Sequence, residues 1–145
     1  MNRTLMAVVL GASFIVAGCG DNKVKDDAVS FAKSAILENV ADPESVTFSN
    51  MKFVDINAVD KLGYAEYVVC GSLSGENARG EDMKNEFAVD LVIGAGRVND
   101  EKKDYIKEIY PRYDFQTGLI NRKYYDYEIA CSKGAEVFLE KNGIR

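Results

Sequence analysis

Apolar residues at Val24, Ala28, Phe31, Ala32, Ala35, Ile36 and Val40 recur at spacings of three and four, while Lys25, Asp26, Lys33 and Glu38 lie away from that stripe. This period predicts an amphipathic helix. The helix should stop near Ala41, because Asp42 precedes Pro43 and a residue before proline is pushed out of the helical region. Asp42-Pro43-Glu44-Ser45 reads as a turn. Beyond it the period changes towards two. Val46, Phe48, Met51 and Phe53 suggest an edge-type strand, and the phase slip between Phe48 and Met51 predicts a bulge near Ser49-Asn50. Asn57 to Gly63 reads as a loop, and Tyr64 to Leu73 is rich in β-formers. Ser74 to Lys84 is polar and reads as a loop or wide hairpin. Phe87, Val89, Leu91 and Ile93 alternate cleanly as a strand, ended by Gly94-Ala95-Gly96.

Asn99 to Tyr110 reads as a short helix with Tyr105, Ile106, Ile109 and Tyr110 inward, closed by Pro111. Asp114 to Asn121 follows as a loop. Tyr127, Ala130, Cys131, Gly134, Val137 and Phe138 repeat at three and four, predicting a final helix that ends at Gly143. Gly134 is its weak point, where the segment could divide. The expected fold class is therefore α+β: an N-terminal amphipathic helix, an antiparallel sheet of three to four strands, and a C-terminal helix. Both helices are expected to cover one face of the sheet, since neither can bury its stripe alone.

Length and charge narrow the possibilities. A chain of 145 residues fits one domain. The absence of histidine removes Ser-His-Asp and Cys-His nucleophile systems and histidine metal sites. A net charge of −5 argues against nucleic acid as the main partner and favours a basic protein.

The first eighteen residues have their own character. After Arg3, Leu5 to Gly18 carries no charge; it is shorter than the roughly 20 apolar residues of a membrane helix and has the length of a signal-peptide core. It ends in Val16-Ala17-Gly18-Cys19, which resembles the lipobox of bacterial lipoprotein precursors. An ordinary secretory leader or an uncleaved core strand would be the plainer reading. The resemblance implies cleavage after Gly18 and a diacylglycerol thioether on Cys19, often with an N-acyl chain on its new amino group. The divisions then expected are a leader at 1–18, a lipidated cysteine and short tether at 19–24, and one α+β domain at 25–145. Gly20, rather than aspartate, follows the cysteine, which by the same resemblance points to the outer membrane rather than the inner one. Removing the leader with its single basic residue leaves 127 residues and a charge of −6.

Cys70 and Cys131 remain. An oxidising compartment permits a disulfide between them, closing a loop of about 61 residues and contributing roughly 4 kcal/mol in the chain-entropy model. Two buried free thiols, or a redox pair, are the alternatives; no C-x-x-C motif is present. The body also resembles a group of small secreted bacterial proteins of unknown function, with a signature D-P-x-S-x-x-F-x-N, then V-C-G followed by an asparagine, then a late cysteine. Here these are Asp42 to Asn50, then Val69-Cys70-Gly71 with Asn77, then Cys131. The resemblance implies the same fold and a Cys70–Cys131 bond, and no activity. Ser74 and Glu81 depart from its pattern, where it has asparagine and glycine.

Candidate chemistry is sparse. Gly94-x-Gly96 is only a fragment of a dinucleotide fingerprint. Asp55, Asn57 and Asp60 fail the calcium-loop spacing, so no metal site or catalytic residue is assigned. The acidic pairs Asp26-Asp27, Glu81-Asp82 and Asp100-Glu101 lie in polar runs; a carboxylate-dependent cell-wall glycan hydrolase would need one acid in apolar surroundings. Asn77 and Arg79, on a glycine-flanked loop, could grip a carboxylate or sugar hydroxyls, or Asn77 could simply cap the turn. Six of the eight tyrosines lie between Tyr105 and Tyr127. Of that region, Tyr113, Phe115 and Tyr124 fit a core face least well and are candidate binding residues.

Overall fold

The computed structural model describes residues 19–59, 65–94, 97–98, 101–102 and 104–143. The leader at 1–18, residues 60–64, the end of the Gly94–Gly96 turn, and Asn99 and Asp100 lie outside them. Helix α1 (Cys19–Leu37) is followed by a 3₁₀ turn (Pro43–Ser45) and three long strands, β1 (Thr47–Val59), β2 (Ala65–Glu76) and β3 (Asp82–Ile93). Two short strands, β4 (Arg97–Val98) and β5 (Glu101–Lys102), pair with each other. Strand β6 (Tyr105–Pro111) and helices α2 (Arg122–Lys133) and α3 (Ala135–Lys141) complete the chain. The main sheet is antiparallel in the order β1-β2-β3-β6. The α+β class is as the sequence predicts. The expected tether at 19–24 forms the first turns of α1.

The helices do not share a face, which corrects the expectation. Strand side chains alternate between faces, and both faces of β2 and β3 are apolar. Tyr67, Val69 and Leu73 of β2, with Phe87, Val89, Leu91 and Ile93 of β3, pack under Ala28, Ala32 and Ile36 of α1. Val68, Cys70 and Ala88 point the other way and pack with Tyr124, Ala130, Phe138 and Leu139 of α2 and α3. The result is three layers. Runs such as Tyr67-Val68-Val69-Cys70 and Phe87-Ala88-Val89 are continuous because both sides need burial.

Residues 105–110 also correct the sequence reading: they form a strand, not a helix. β6 pairs with β3 from Val92↔Tyr105 to Phe87↔Pro111, with a register shift that leaves Lys107 without a partner opposite Asp90-Leu91. That bulge sets Ile106 and Ile109 on the same face, where both pack against the α1-side core. A bulge thus reproduces the three-residue spacing of a helix. The bulge expected in β1 is present. Its register shifts between Ser49 and Lys52, where Asn50 has a φ of 53°.

The expected loop at Ser74 to Lys84 shrinks to a turn over 77–81, because β2 and β3 remain paired as far as Glu76↔Asp82. Strand β1 likewise continues through Asn57 to Val59, the start of another expected loop. Gly134, at φ 95°, divides the last helix into α2 and α3.

Signature residues hold this frame together. Cys70 on the central strand β2 is bonded to Cys131 on α2, with Cα atoms 6.3 Å apart. A Cβ on Gly71 would lie 2.8 Å from the Phe87 ring, so glycine lets that ring lie on the backbone. The Ser45 hydroxyl donates to Asp42 O and accepts from Glu76 N, fastening the turn before β1 to the end of β2.

Candidate functional site

One end of the sheet carries the loops. There the residues that follow α1 (Glu38 to Ala41), the β2–β3 turn and the segment after β6 enclose an open groove of about 780 Å³. Asn77, Arg79, Tyr113 and Phe115, read separately from the sequence as candidate binding residues, all line it. Both loops are held firmly. The Asn77 side-chain oxygen accepts from Arg79 N and Glu81 N, and its amide nitrogen donates to Glu81. Asn77 is therefore the turn's cap, and its hydrogen-bonding capacity is used by the chain itself. The Asp114 carboxylate accepts from Gln116 N, Thr117 N and the Thr117 hydroxyl, which together hold its pKa below the usual carboxylate range. Asn85 is buried; it donates to Tyr113 O and accepts from Tyr113 N and Glu86 N, fixing the second loop to β3.

Arg79 is exposed and its guanidinium has no ion-pair partner among the described residues. Phe115 is partly buried against the α1-side core, so it forms part of the groove's apolar floor. Tyr113 stands 39 % exposed at the rim. The groove thus offers an apolar floor between acids (Glu38, Asp82, Asp114) and bases (Arg79, Lys84).

Tyr124 does not join these residues. It is buried on the sheet-facing side of α2, on the opposite face of the sheet, where burial pushes its hydroxyl up to about 12. The tyrosine cluster is split. Tyr110 and Tyr127 stack at 4.0 Å inside the α2–α3 layer, while Tyr105, Tyr113 and Tyr125 remain exposed. Arg112 carries the exposed part. It pairs with Glu86, donates to the Tyr125 hydroxyl at 3.2 Å, and lies 5.5 Å and 5.8 Å from the Tyr113 and Tyr125 ring centres.

The sequence reading missed one unusual group. Asp90 is 2 % exposed in the middle of β3, on the α2–α3 face. Its Oδ2 lies 3.8 Å from Lys107 Nζ, which sits 2.6 Å from Glu66, and its Oδ1 is buried without a hydrogen-bond partner. Burial, reinforced by the Glu66 carboxyl beside it, pushes Asp90 up to about 8 against the pull of Lys107 and Tyr127. Burial alone would lower Lys107, but its hydrogen bond to Glu66 and the charges of Asp90 and Glu66 leave it raised. The available signal was one acid inside the apolar run Phe87-Ala88-Val89-Asp90-Leu91-Val92-Ile93.

Among the described residues no group of three histidines, cysteines or acids is placed to hold a metal ion. Comparison with protein-family models, with curated proteins and with solved structures finds no match.

Proposed function

We propose that this chain is a bacterial lipoprotein, held in the cell envelope by diacylglycerol and N-acyl chains on Cys19, whose domain serves as a non-enzymatic binding module. The observation that carries the binding reading is the convergence of four separately identified residues on one preformed groove. Its place in the fold is consistent with an anchor. Cys19 lies on α1, and the residues just past the far end of that helix line the groove. Nineteen residues of helix extend about 28 Å. An anchored domain would therefore hold the groove away from its own bilayer, open to the aqueous space. The Cys70–Cys131 bond fits an oxidising compartment. Outer-membrane sorting follows from Gly20 after the lipidated position.

The acidic balance favours a basic protein partner, with Glu38, Asp82 and Asp114 as its counter-charges and Tyr113 and Phe115 as apolar contacts. No observation favours the alternative, a glycan hydrolase. Asp90 has the raised pKa of a general acid, but it faces Glu66 within hydrogen-bonding reach under α2. Glycosidase carboxyls stand roughly 5 to 9.5 Å apart across an open cleft.

The test combines fractionation with site-specific crosslinking in cells. Native protein should follow the membrane fraction, and Cys19→Ser should release it. A photoreactive residue at Thr117, in the groove, should give a discrete adduct, while one at Lys133, at the far end of α2, should not. Equal adducts at both positions would overturn the groove assignment.

A further inference from the structure

The sheet face under α2 and α3 is not covered along its whole length. The helices lie over Ile56, Val68, Cys70 and Ala88. Towards the loop end the same face changes character. Ser49 of β1, Ser72 of β2 and Glu86 of β3 are opposed in one cross-strand row, and the Arg112 guanidinium pairs with Glu86 beside it. Ser74 and Lys84 form the next row. These side chains and Tyr113 line a second depression of about 490 Å³, separate from the groove except for its shared edge at Lys84, Asn85 and Tyr113.

The donor and acceptor inventory selects a ligand class. The Ser49, Ser72 and Ser74 hydroxyls have no hydrogen-bond partner among the described residues, and each can both donate and accept. Glu86 adds acceptors, and Lys84 and Arg112 add donors. A phosphate or sulfate is an anion that mainly accepts, and it would meet the Glu86 carboxylate. An extended peptide is recognised through backbone groups at a sheet edge, whereas β2 lies between β1 and β3 across both rows, and beyond the last β3–β6 pair the open side of β3 is met by Arg112 N on Glu86 O and by Tyr113 on the Asn85 side chain. A polyhydroxyl ligand donates and accepts at every position, and the apolar C–H face of a sugar ring can lie on an exposed tyrosine. Tyr113 stands at the edge of the ledge, with the Arg112 guanidinium carbon 5.5 Å from its ring centre.

We infer that this ledge is a carbohydrate-binding surface, with Ser49, Ser72, Glu86 and Arg112 reading hydroxyls and Tyr113 as the stacking platform. It differs from the groove in position and ligand, and it stands whether or not the groove has a partner. The test is saturation-transfer NMR on the full-length protein in a sugar-free zwitterionic detergent. The probes are tetrasaccharides of β-1,4-linked N-acetylglucosamine, of β-1,4-linked glucose and of α-1,4-linked glucose, with inorganic phosphate as competitor. At least one tetrasaccharide should bind saturably. Ser72→Val and Tyr113→Ala should each weaken that binding by about tenfold or more, while Arg79→Ala, confined to the groove, should leave it intact. Valine suits the half-buried strand position of Ser72, so that variant decides the outcome if Tyr113→Ala misfolds. Absence of binding to all three sugars, undiminished binding by Ser72→Val, or displacement by phosphate would each overturn the inference.

Discussion

The two faces of the sheet are built on different principles. The α1 face is dry and repetitive: alanines and an isoleucine of the helix lie on alternating aliphatic and aromatic residues, with Phe48 set edge-on to Phe87 at 5.9 Å. The α2–α3 face depends on particular pairings: a disulfide, a stacked tyrosine pair, and a buried aspartate beside Lys107 and Glu66. On the first face stability is spread over area and follows period. On the second it is concentrated in a few groups, each replaceable by one experiment.

The largest effect is expected on the dry face. Phe87 is fully buried there. Phe87→Ala should cost about 3–5 kcal/mol in chemical unfolding, because the cavity adds to the lost transfer energy. A cost near zero would mean that α1 is not packed as described. Next, Cys70→Ala with Cys131→Ala should cost about 2–4 kcal/mol by unconstraining the unfolded chain. If it costs nothing, the second face does not rely on its bond.

Asp90 gives a smaller, pH-dependent effect. Its carboxyl sits at about 8 in the folded protein, above its ordinary value, so the folded state holds the proton more tightly. The associated stability is full below about pH 4 and is lost as pH rises through about 8. Asp90→Asn cannot ionise. Thermal unfolding should show the native protein declining between pH 5 and 8.5 relative to this variant, by on the order of 1–3 kcal/mol. Parallel curves would remove the buried acid from the account. The smallest effect belongs to the loop end. Asn77→Ala leaves Arg79 N and Glu81 N without their acceptor in an exposed turn, and should cost only about 1 kcal/mol by denaturant titration.

This contrast also explains what the sequence could disclose. The α1 stripe, the alternation in β3 and the bulge at Ser49-Asn50 were legible because burial imposes a period on them. The side of the sheet taken by α2 was not, since β2 and β3 are apolar on both faces and period two cannot then choose one. Ile106 and Ile109 read as helical in sequence because the Lys107 bulge inserts one residue into a two-residue repeat. At the loop end, Asn77, Arg79, Tyr113 and Phe115 were recognisable as residue types on loops, but their meeting in one groove depends on the β2–β3 pairing bringing distant segments together. Tyr124 resembled its exposed neighbours in sequence, and only the path of α2 places it inside. Asp90 and Ser72 carried no motif, because their significance lies in which strands flank them.

The most direct test of the proposed anchor is intact mass spectrometry of the protein isolated without reductant from whichever fraction of its native cells, membrane or soluble, contains it. The account predicts a chain beginning at Cys19, heavier by diacylglycerol and an N-acyl chain, and lighter by the two hydrogens of one disulfide. A chain that retains residues 1–18 with an unmodified Cys19, recovered from the soluble fraction, would contradict it.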